Sequence, residues 1–361
     1  VTWHYWLRYY PTLTETFVYD EARGLIEGGH RVRALAIGSR DDGAETQGPG
    51  WTVLHPPSYR EVVASSAKLA LSSRGRAAAR WLGRHQRTKQ VAKALWAATT
   101  LDPADRVHVH FAGEAAEWAR AAWMATGVPY GVTVHAADLY KPRPSLAAVL
   151  EGARVVVTIS RFNQRVLRER YGFESHLVRC GIDQAAWPRV DAGASRRILS
   201  VGRPVPKKGF DLLLEAVEQL EDAQLDLVGG ATSELAGVTA HGPLKRSQVA
   251  ALVGRAGVFA LPCRTGPDGD RDGLPVAMME AMAAGIPVVT TRLPGLSELV
   301  DERCGWVVPQ EDVHALRDAL ADALGRPEER RRRGERARER IARRFSLAGQ
   351  VSGLQRAWQG A

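Results

Sequence analysis

Two carboxylates, Asp272 and Glu280, stand eight positions apart in Asp272-Gly-Leu-Pro-Val-Ala-Met-Met-Glu280-Ala-Met-Ala-Ala-Gly285-Ile-Pro. Pro275 suits a first helical turn and Gly285 a helix stop, so the spacing predicts a short helix from about Pro275 to Ala284. Asp272 then lies in the loop before the helix and Glu280 on the helix itself. The helix start, Gly273, Leu274, Pro275 and Val276, carries free backbone N–H groups, on all but the proline, that can hold a phosphate or sugar hydroxyls. A carboxylate such as Glu280 can accept two hydrogen bonds from the vicinal diol of a ribose, and Asp272 can do the same for hydroxyls of a sugar. The bare spacing also describes an ordinary surface helix with acidic residues. The flanking Gly-Leu-Pro and Ala-Met-Ala-Ala-Gly give it more weight than that.

A second constellation, Ser200-Val-Gly202-Arg203-Pro-Val-Pro-Lys207-Lys208-Gly209-Phe, gathers three cations at the end of a strand. Alone it reads equally as a solvated basic loop. A third, Tyr9-Tyr-Pro-Thr-Leu-Thr14-Glu15-Thr16-Phe17, opens a helix. Its plain reading is a capping box, Thr12-x-x-Glu15. Two histidines end strands: His110 in Val107-His-Val-His-Phe-Ala and His135 in Val132-Thr-Val-His-Ala-Ala-Asp138. A strand-end histidine can donate to a sugar hydroxyl or an oxyanion, though a lone histidine is more often a satisfied core group.

These residues need elements to position them. Short β-branched runs at Arg31–Ile37, Arg106–Phe111, Tyr130–Val134, Arg154–Ile159 and His176–Arg179 alternate with helical patterns at Thr14–Glu27, Glu114–Thr126 and Phe162–Tyr171. Residues 185–194, with Pro188, Gly193 and several alanines, read as a linker. Alternation restarts with Ile198–Val201, Asp211–Leu220, Leu225–Val228 and Val258–Leu261. Strand–helix–strand order with short connections means parallel sheets with helices on both faces. The expectation is an α/β chain of two Rossmann-like, doubly wound domains facing a cleft, spanning 1–185 and 195–344. Ligands in such sheets bind beyond the carboxyl ends of the strands.

The Asp272–Glu280 segment resembles the Glu, seven residues, Glu motif of glycosyltransferase family 4, the retaining enzymes of GT-B fold. Asp272 departs from that pattern by one methylene, about 1.5 Å, which touches the choice of donor sugar more than the reaction class. The Gly202-Arg203…Lys208-Gly209 run resembles the family's diphosphate loop. The resemblance implies that Arg203 and Lys208 hold the phosphates, where fixed cations stabilise the charge that grows on the leaving group. It places a histidine at the position of His135, near the transferred sugar. It gives Ser160 a place near the acceptor or phosphates, and Gly242, Pro243 and Leu244 a backbone that holds the nucleobase. The opening run resembles that of exopolysaccharide-type members, which sets Glu15, Thr16 and His110 on the acceptor side. Residues 345–361 resemble the C-terminal helix that crosses back to the N-terminal domain. The resemblance runs from Tyr9 to about Trp358. It implies a nucleoside-diphosphate sugar as donor, a glycan or natural-product acceptor (in exopolysaccharide or oligosaccharide-antibiotic biosynthesis), retention, and no metal or other cofactor.

Composition bounds the alternatives. The chain has 361 residues, enough for two domains, with 45% hydrophobic and 25% charged residues. Three dispersed cysteines, Cys180, Cys263 and Cys304, suggest neither a disulfide framework nor a zinc site. No apolar run approaches the roughly 18–20 residues of a membrane span, and no secretory leader is visible, so a cytoplasmic location is expected. The net charge of +9 attracts anions. Nucleic acid is disfavoured, since no helix-turn-helix, zinc-finger or RRM signature accompanies it. Residues 62–101 contain no acidic residue and eight Lys or Arg, interleaved with Leu69, Leu71, Trp81, Leu82, Leu95 and Trp96. Such a stretch can rest on an anionic membrane or form a solvated helical face. A sugar-nucleotide epimerase or a phosphorylase of the same architecture is the nearest rival.

Overall fold

A computed structural model describes residues 1–39, 50–230 and 232–360. The chain divides into two compact units, 1–178 with 351–361, and 179–350. In the first, β1 (Thr2–Tyr9), α1 (Thr16–Glu27), β2 (Arg31–Gly38) and β3 (Thr52–Leu54) are followed by three helices, α2 (Tyr59–Leu71), α3 (Ser73–Leu82) and α4 (Thr88–Ala98). Then come β4 (Arg106–His110), α5 (Glu114–Thr126), β5 (Tyr130–Val134), α6 (Ala136–Tyr140), α7 (Leu146–Gly152), β6 (Val155–Thr158), α8 (Arg161–Tyr171) and β7 (His176–Leu177). The seven strands are all parallel, in the order β3-β2-β1-β4-β5-β6-β7.

The second unit contains β8 (Arg197–Val201), α9 (Phe210–Glu218), β9 (Gln224–Val228), β10 (Val238–Ala240), α10 (Arg246–Val253), β11 (Val258–Leu261), α11 (Val276–Ala284), β12 (Val288–Thr291), β13 (Gly305–Val308), α12 (Val313–Gly325) and α13 (Pro327–Arg344). Its six strands are also parallel, ordered β10-β9-β8-β11-β12-β13. Helix α14 (Leu347–Gln359) supplies the last residues of the first unit, where Trp358 packs edge-on against Trp3.

Each sheet turns back on itself beside its first strand, between β1 and β4 and between β8 and β11. At such a switch point the loops after the two strands diverge and leave a crevice. The central strands are buried on both faces, hence the near-continuous apolar run Trp3, Tyr5, Trp6, Leu7 in β1. Alanines at 115, 116, 119, 121, 122 and 125 let α5 lie close to its sheet. The strands β3, β12 and β13 were not foreseen; β3 is a three-residue edge with almost no pattern to read.

Residues 185–194 are not a loose linker. Trp187 and Ala192 are buried, Val190 N donates to Ala284 O, and the whole stretch belongs to the second unit. Helix α1 also starts two residues later than expected. The Thr12–Glu15 capping box does not form: no side chain caps the helix at Glu15, and the Thr12 amide and hydroxyl instead meet Tyr19 Oη at 2.9 and 3.0 Å.

Candidate functional site

In the second unit the loop after β8 carries Gly202, Arg203, Lys207, Lys208 and Gly209, and the loop after β11 carries Cys263 to Pro275. Gly209 holds φ +66°, and a Cβ there would sit 2.2 Å from Pro262 O, so only glycine lets the two loops meet. That contact brings the cations to the carboxylates. Lys208 Nζ lies 2.8 Å from Asp272 Oδ2, Lys207 Nζ lies 3.5 Å from Asp272 Oδ1 and 3.1 Å from Asp270 Oδ2, and the Cys263 thiol donates to Asp272 at 3.4 Å. Burial disfavours both charged forms, but the pairing outweighs it. The Lys208 ammonium is lifted above the ordinary lysine range, and Lys208 with Lys207 holds the Asp272 carboxyl below the ordinary aspartate range. Burial beside Asp272 pushes the Cys263 thiol well up, so it stays a neutral donor. Arg203 is exposed and makes no ion pair among the described residues.

Pro275 precedes α11 and Gly285 closes it with φ +92°, as the spacing predicted. The amides of Val276 and Ala277 come before the first intrahelical bond, from Met278 N to Pro275 O. They extend the cationic corner with the positive end of a helix. Leu274 is buried, so it offers backbone rather than side chain, beside Gly273. Glu280 is buried with its carboxylate 3.7 Å from Arg246 Nε, and the Arg246 guanidinium lies over the Trp187 ring at 5.3 Å. Arg246 opens α10 just after Gly242, Pro243 and Leu244, so it links Glu280 to that loop. Gly242 O accepts from Gly229 N at 2.8 Å, which ties the loop to the end of β9.

The loop Arg264–Arg271, which its glycines and proline mark as mobile, is pinned. Arg264 grips both carboxylate oxygens of Asp211 and reaches Glu311 and Pro206 O, while Thr265 N donates to Gln310 Oε1.

In the first unit the ends of β4 and β5 bring His110 and His135 together, His110 Nδ1 to His135 Nε2 at 3.1 Å. The other ring nitrogen of His110 lies 3.0 Å from Glu21 Oε1, which also accepts from Tyr5 Oη at 2.6 Å. His108 Nε2 meets Thr133 Oγ1 at 2.9 Å. Phe17 and Phe111 flank the His135 ring at 5.2 and 4.3 Å between centroids. Burial, with His110 adding to it, holds His135 well below the ordinary histidine range, and burial lowers His108 to about 3. Burial works to raise Glu21, but His110 outweighs it and the carboxyl sits at about 2. Asp138 accepts from the His135 amide at 2.8 Å, yet burial raises its carboxyl to about 6. Glu21, His108 and His110 are the group, among the described residues, whose ligand atoms lie within 4.8 Å of one another, close enough for a metal ion; here Glu21 bonds to His110 and Tyr5, and His108 bonds to Thr133.

Glu15 and Thr16 stand at the start of α1, just beyond β1 at the switch point. Ser160 is fully buried and its hydroxyl caps α8, accepting from Asn163 N at 3.0 Å. Its hydroxyl is therefore engaged in holding the helix. Sequence reasoning counted Lys207 among the loop's cations without a role of its own, and missed Glu21, Tyr5, His108 and Asp270. Glu21 did leave a trace: Phe17, Val18, Ala22 and Leu25 form the buried stripe of α1, and two carboxylates, Asp20 and Glu21, are buried with it.

Residues 14–186 match the family model "Glycosyltransferase Family 4" and residues 188–340 match "Glycosyl transferases group 1". The chain is 40% identical over 163 residues to the Escherichia coli (strain K12) glycosyltransferase named WcaL for colanic acid biosynthesis, covering 40% of each chain. It is 33% identical over 217 residues to a GDP-mannose-dependent α-(1-6)-phosphatidylinositol monomannoside mannosyltransferase of Mycolicibacterium smegmatis, covering 51% of this chain and 56% of that one. These matches span about two fifths to just over half of the relatives' length. Anabaena Alr3699/HepE, solved with UDP and glucose, superposes with a TM-score of 0.74 at 14% identity over 99% of this chain and 100% of that one. The fold is that of the GT-B glycosyltransferases.

Proposed function

We propose, for a chain whose two halves belong to glycosyltransferase family 4 and to the glycosyl transferases of group 1, that it moves a sugar from a nucleoside diphosphate to a glycan acceptor with retention and without metal. The observation that carries this is the corner of the second unit at its switch point. There Lys208 is already ordered against Asp272, Arg203 stands exposed beside it, and the α11 amides follow. Such a corner fits a diphosphate leaving group, whose growing charge fixed donors stabilise without reorganising. In the second unit Glu280 takes the ribose diol, the 242–244 backbone the base and Asp272 a sugar hydroxyl; in the first unit His135 offers its ring to a sugar hydroxyl. The departing phosphate oxygen is the base that removes the acceptor proton, while the chain's own residues orient the two partners. The relatives' names, colanic acid in one and GDP-mannose in another, support a cell-surface glycan as product.

Thermal shift with UDP, GDP and dTDP tests this directly. A ligand that binds the native state alone raises stability according to its concentration over its dissociation constant. One diphosphate is expected to raise Tm clearly, with and without magnesium, and so to name the base. No shift with any of them would remove the donor-binding reading. A donor consumed only when an acceptor is present separates transfer from epimerisation and phosphorolysis.

The basic stretch 62–101 supplies a second contact. Of its apolar residues, Leu82 and Leu95 are buried and Leu69, Trp81 and Trp96 pack against the same core. Leu71, however, is 73% exposed, with Tyr59 and Val63 also outside, around a groove between α2 and α4 lined by Ala67, Ala70 and Val91. Lys68 on α2 and Arg76, which donates to Leu71 O, are exposed as well. This pairing of apolar tips and cations suits an anionic lipid surface. No helix is long and apolar enough to cross a membrane, among the described residues, so the contact would be peripheral. The protein is expected to sediment with anionic vesicles at low salt and to be released by added salt or by Leu71→Asp. Absence of binding at low salt would reject the contact.

A further inference from the structure

The Glu21 carboxylate has a hydrogen-bond pattern that reaches beyond its own surroundings. It is 2% exposed, on the buried face of α1, and a buried charge is costly unless it is bonded. Its Oε1 receives Tyr5 O–H at 2.6 Å and lies 3.0 Å from His110 Nε2. A carboxylate only accepts, so His110 Nε2 must carry a hydrogen. The contact that follows, His110 Nδ1 to His135 Nε2 at 3.1 Å, has room for one hydrogen. Two arrangements satisfy it. If His110 is neutral, its Nδ1 is a lone pair, His135 donates from Nε2, and His135 Nδ1 is an acceptor. If His110 holds a second proton, it donates, and His135 Nδ1 becomes the N–H donor. The choice rests on the charge behind His110, and Glu21 is the group that bonds it there.

The fold lines these groups up. His110 pairs in register with Thr133, so His135 lies just beyond it on the neighbouring strand end, and α1 packs its Glu21 behind His110. Phe17 and Phe111 hold the outer ring in place. The other titratable groups facing the cluster are His108 and Tyr5 from the strands and Asp138 from α6.

We propose that Glu21 is a positioning residue of the transfer reaction, acting through His110 to fix which ring nitrogen of His135 carries the proton. This rests on the reading of His135 as a group that meets a sugar hydroxyl. A histidine that must either donate to a sugar hydroxyl or accept from one is useful in one tautomer and wrong in the other. Glu21 thereby acts on the sugar from two side chains away without touching it.

The test is long-range ¹H–¹⁵N spectroscopy of the full chain labelled in its ten histidines, with His135 assigned by His135→Asn. One tautomer of His135 is expected in the wild type, and a mixed or reversed one in Glu21→Gln. Turnover of UDP-glucose or GDP-mannose should fall about 10- to 100-fold in Glu21→Gln with the donor Michaelis constant little changed. In a His135→Asn background the same change should add less than about twofold, because coupled residues are not additive. An unchanged tautomer in Glu21→Gln, or full additivity with His135→Asn, overturns the proposal. Should Glu21→Gln not fold, the wild-type spectrum decides: a His135 that exchanges freely between tautomers is not fixed by anything. A wild type inactive on every donor would sink the transfer reading instead, and the spectra would still judge the hold of Glu21 on His135.

Discussion

Arg203→Ala is expected to lower turnover by about 10²- to 10³-fold while the donor Michaelis constant changes by no more than about threefold. The asymmetry follows from how the two cations of the loop are arranged. Lys208 Nζ is already 2.8 Å from Asp272, and that aspartate also meets Lys207. Much of the Lys208 charge is balanced before any ligand arrives. Arg203 is exposed on the same loop with no ion pair among the described residues, so its whole fork remains for phosphate oxygens. In the ground state a diphosphate is held by several groups and loses little when one goes. As the glycosidic bond breaks, the added charge falls on the leaving phosphate, and the unbalanced guanidinium responds most. Arg203→Lys keeps the charge and loses the fork, so it should recover only part of the rate. Steady-state kinetics on the donor identified by thermal shift checks this, and near-normal turnover in Arg203→Ala would remove Arg203 from the mechanism.

How far the sequence reaches can be followed at single residues. Pro275 and Gly285 bound a helix that is observed within a residue of its expected start, because both act through their own backbone geometry. The end of β5 was legible too, its β-branched run stopping at Val134 just before His135, while β4 ends at His110, one residue short of the expected Phe111. What stays hidden depends on partners distant in sequence. Lys207 looks like a duplicate of Lys208 until Asp270 is found 3.1 Å from it. Glu21 looks like one more acidic residue on a helix until β1 and β4 present Tyr5 and His110 to it. Thr12 and Glu15 satisfy the capping pattern, yet Tyr19 takes Thr12 away, a tertiary contact overriding a local rule. The leucines and tryptophans of residues 62–101 likewise sorted into core and surface only once three helices had packed.

Arg330→Met is expected to lower the Tm of the second unit's unfolding by roughly 6–12 °C, the largest stability loss in the arginine-rich helix. By composition Arg330 is one of many arginines in residues 327–344. The structure separates it from the rest: it is 1% exposed. Its Nε donates to Ala192 O at 2.9 Å, its Nη1 to Ala323 O at 2.6 Å and Leu324 O at 2.7 Å, and its Nη2 to Gly193 O at 3.2 Å. Ala323 and Leu324 are in the last turn of α12, where carbonyls lack helical partners. One guanidinium thus closes a helix end and fastens residues 192 and 193. Methionine fills much of the volume but leaves buried carbonyls bare, each costing about 1–3 kcal/mol. A net loss of about 3 kcal/mol, at about 2–4 °C per kcal/mol for a unit of this size, gives the stated shift. Arg330→Lys can reach only some of the four carbonyls and should fall in between. Arg332→Ala is the control. The Arg332 side chain is 58% exposed, and Glu329 keeps its pairing with Arg333 when Arg332 is removed, so only a pair worth about 0–1 kcal/mol is lost and the Tm should hardly move. Equal shifts for Arg330→Met and Arg332→Ala in thermal unfolding would mean that the buried guanidinium contributes no more than a surface pair, and that α12 and residues 192–193 are held by apolar packing alone.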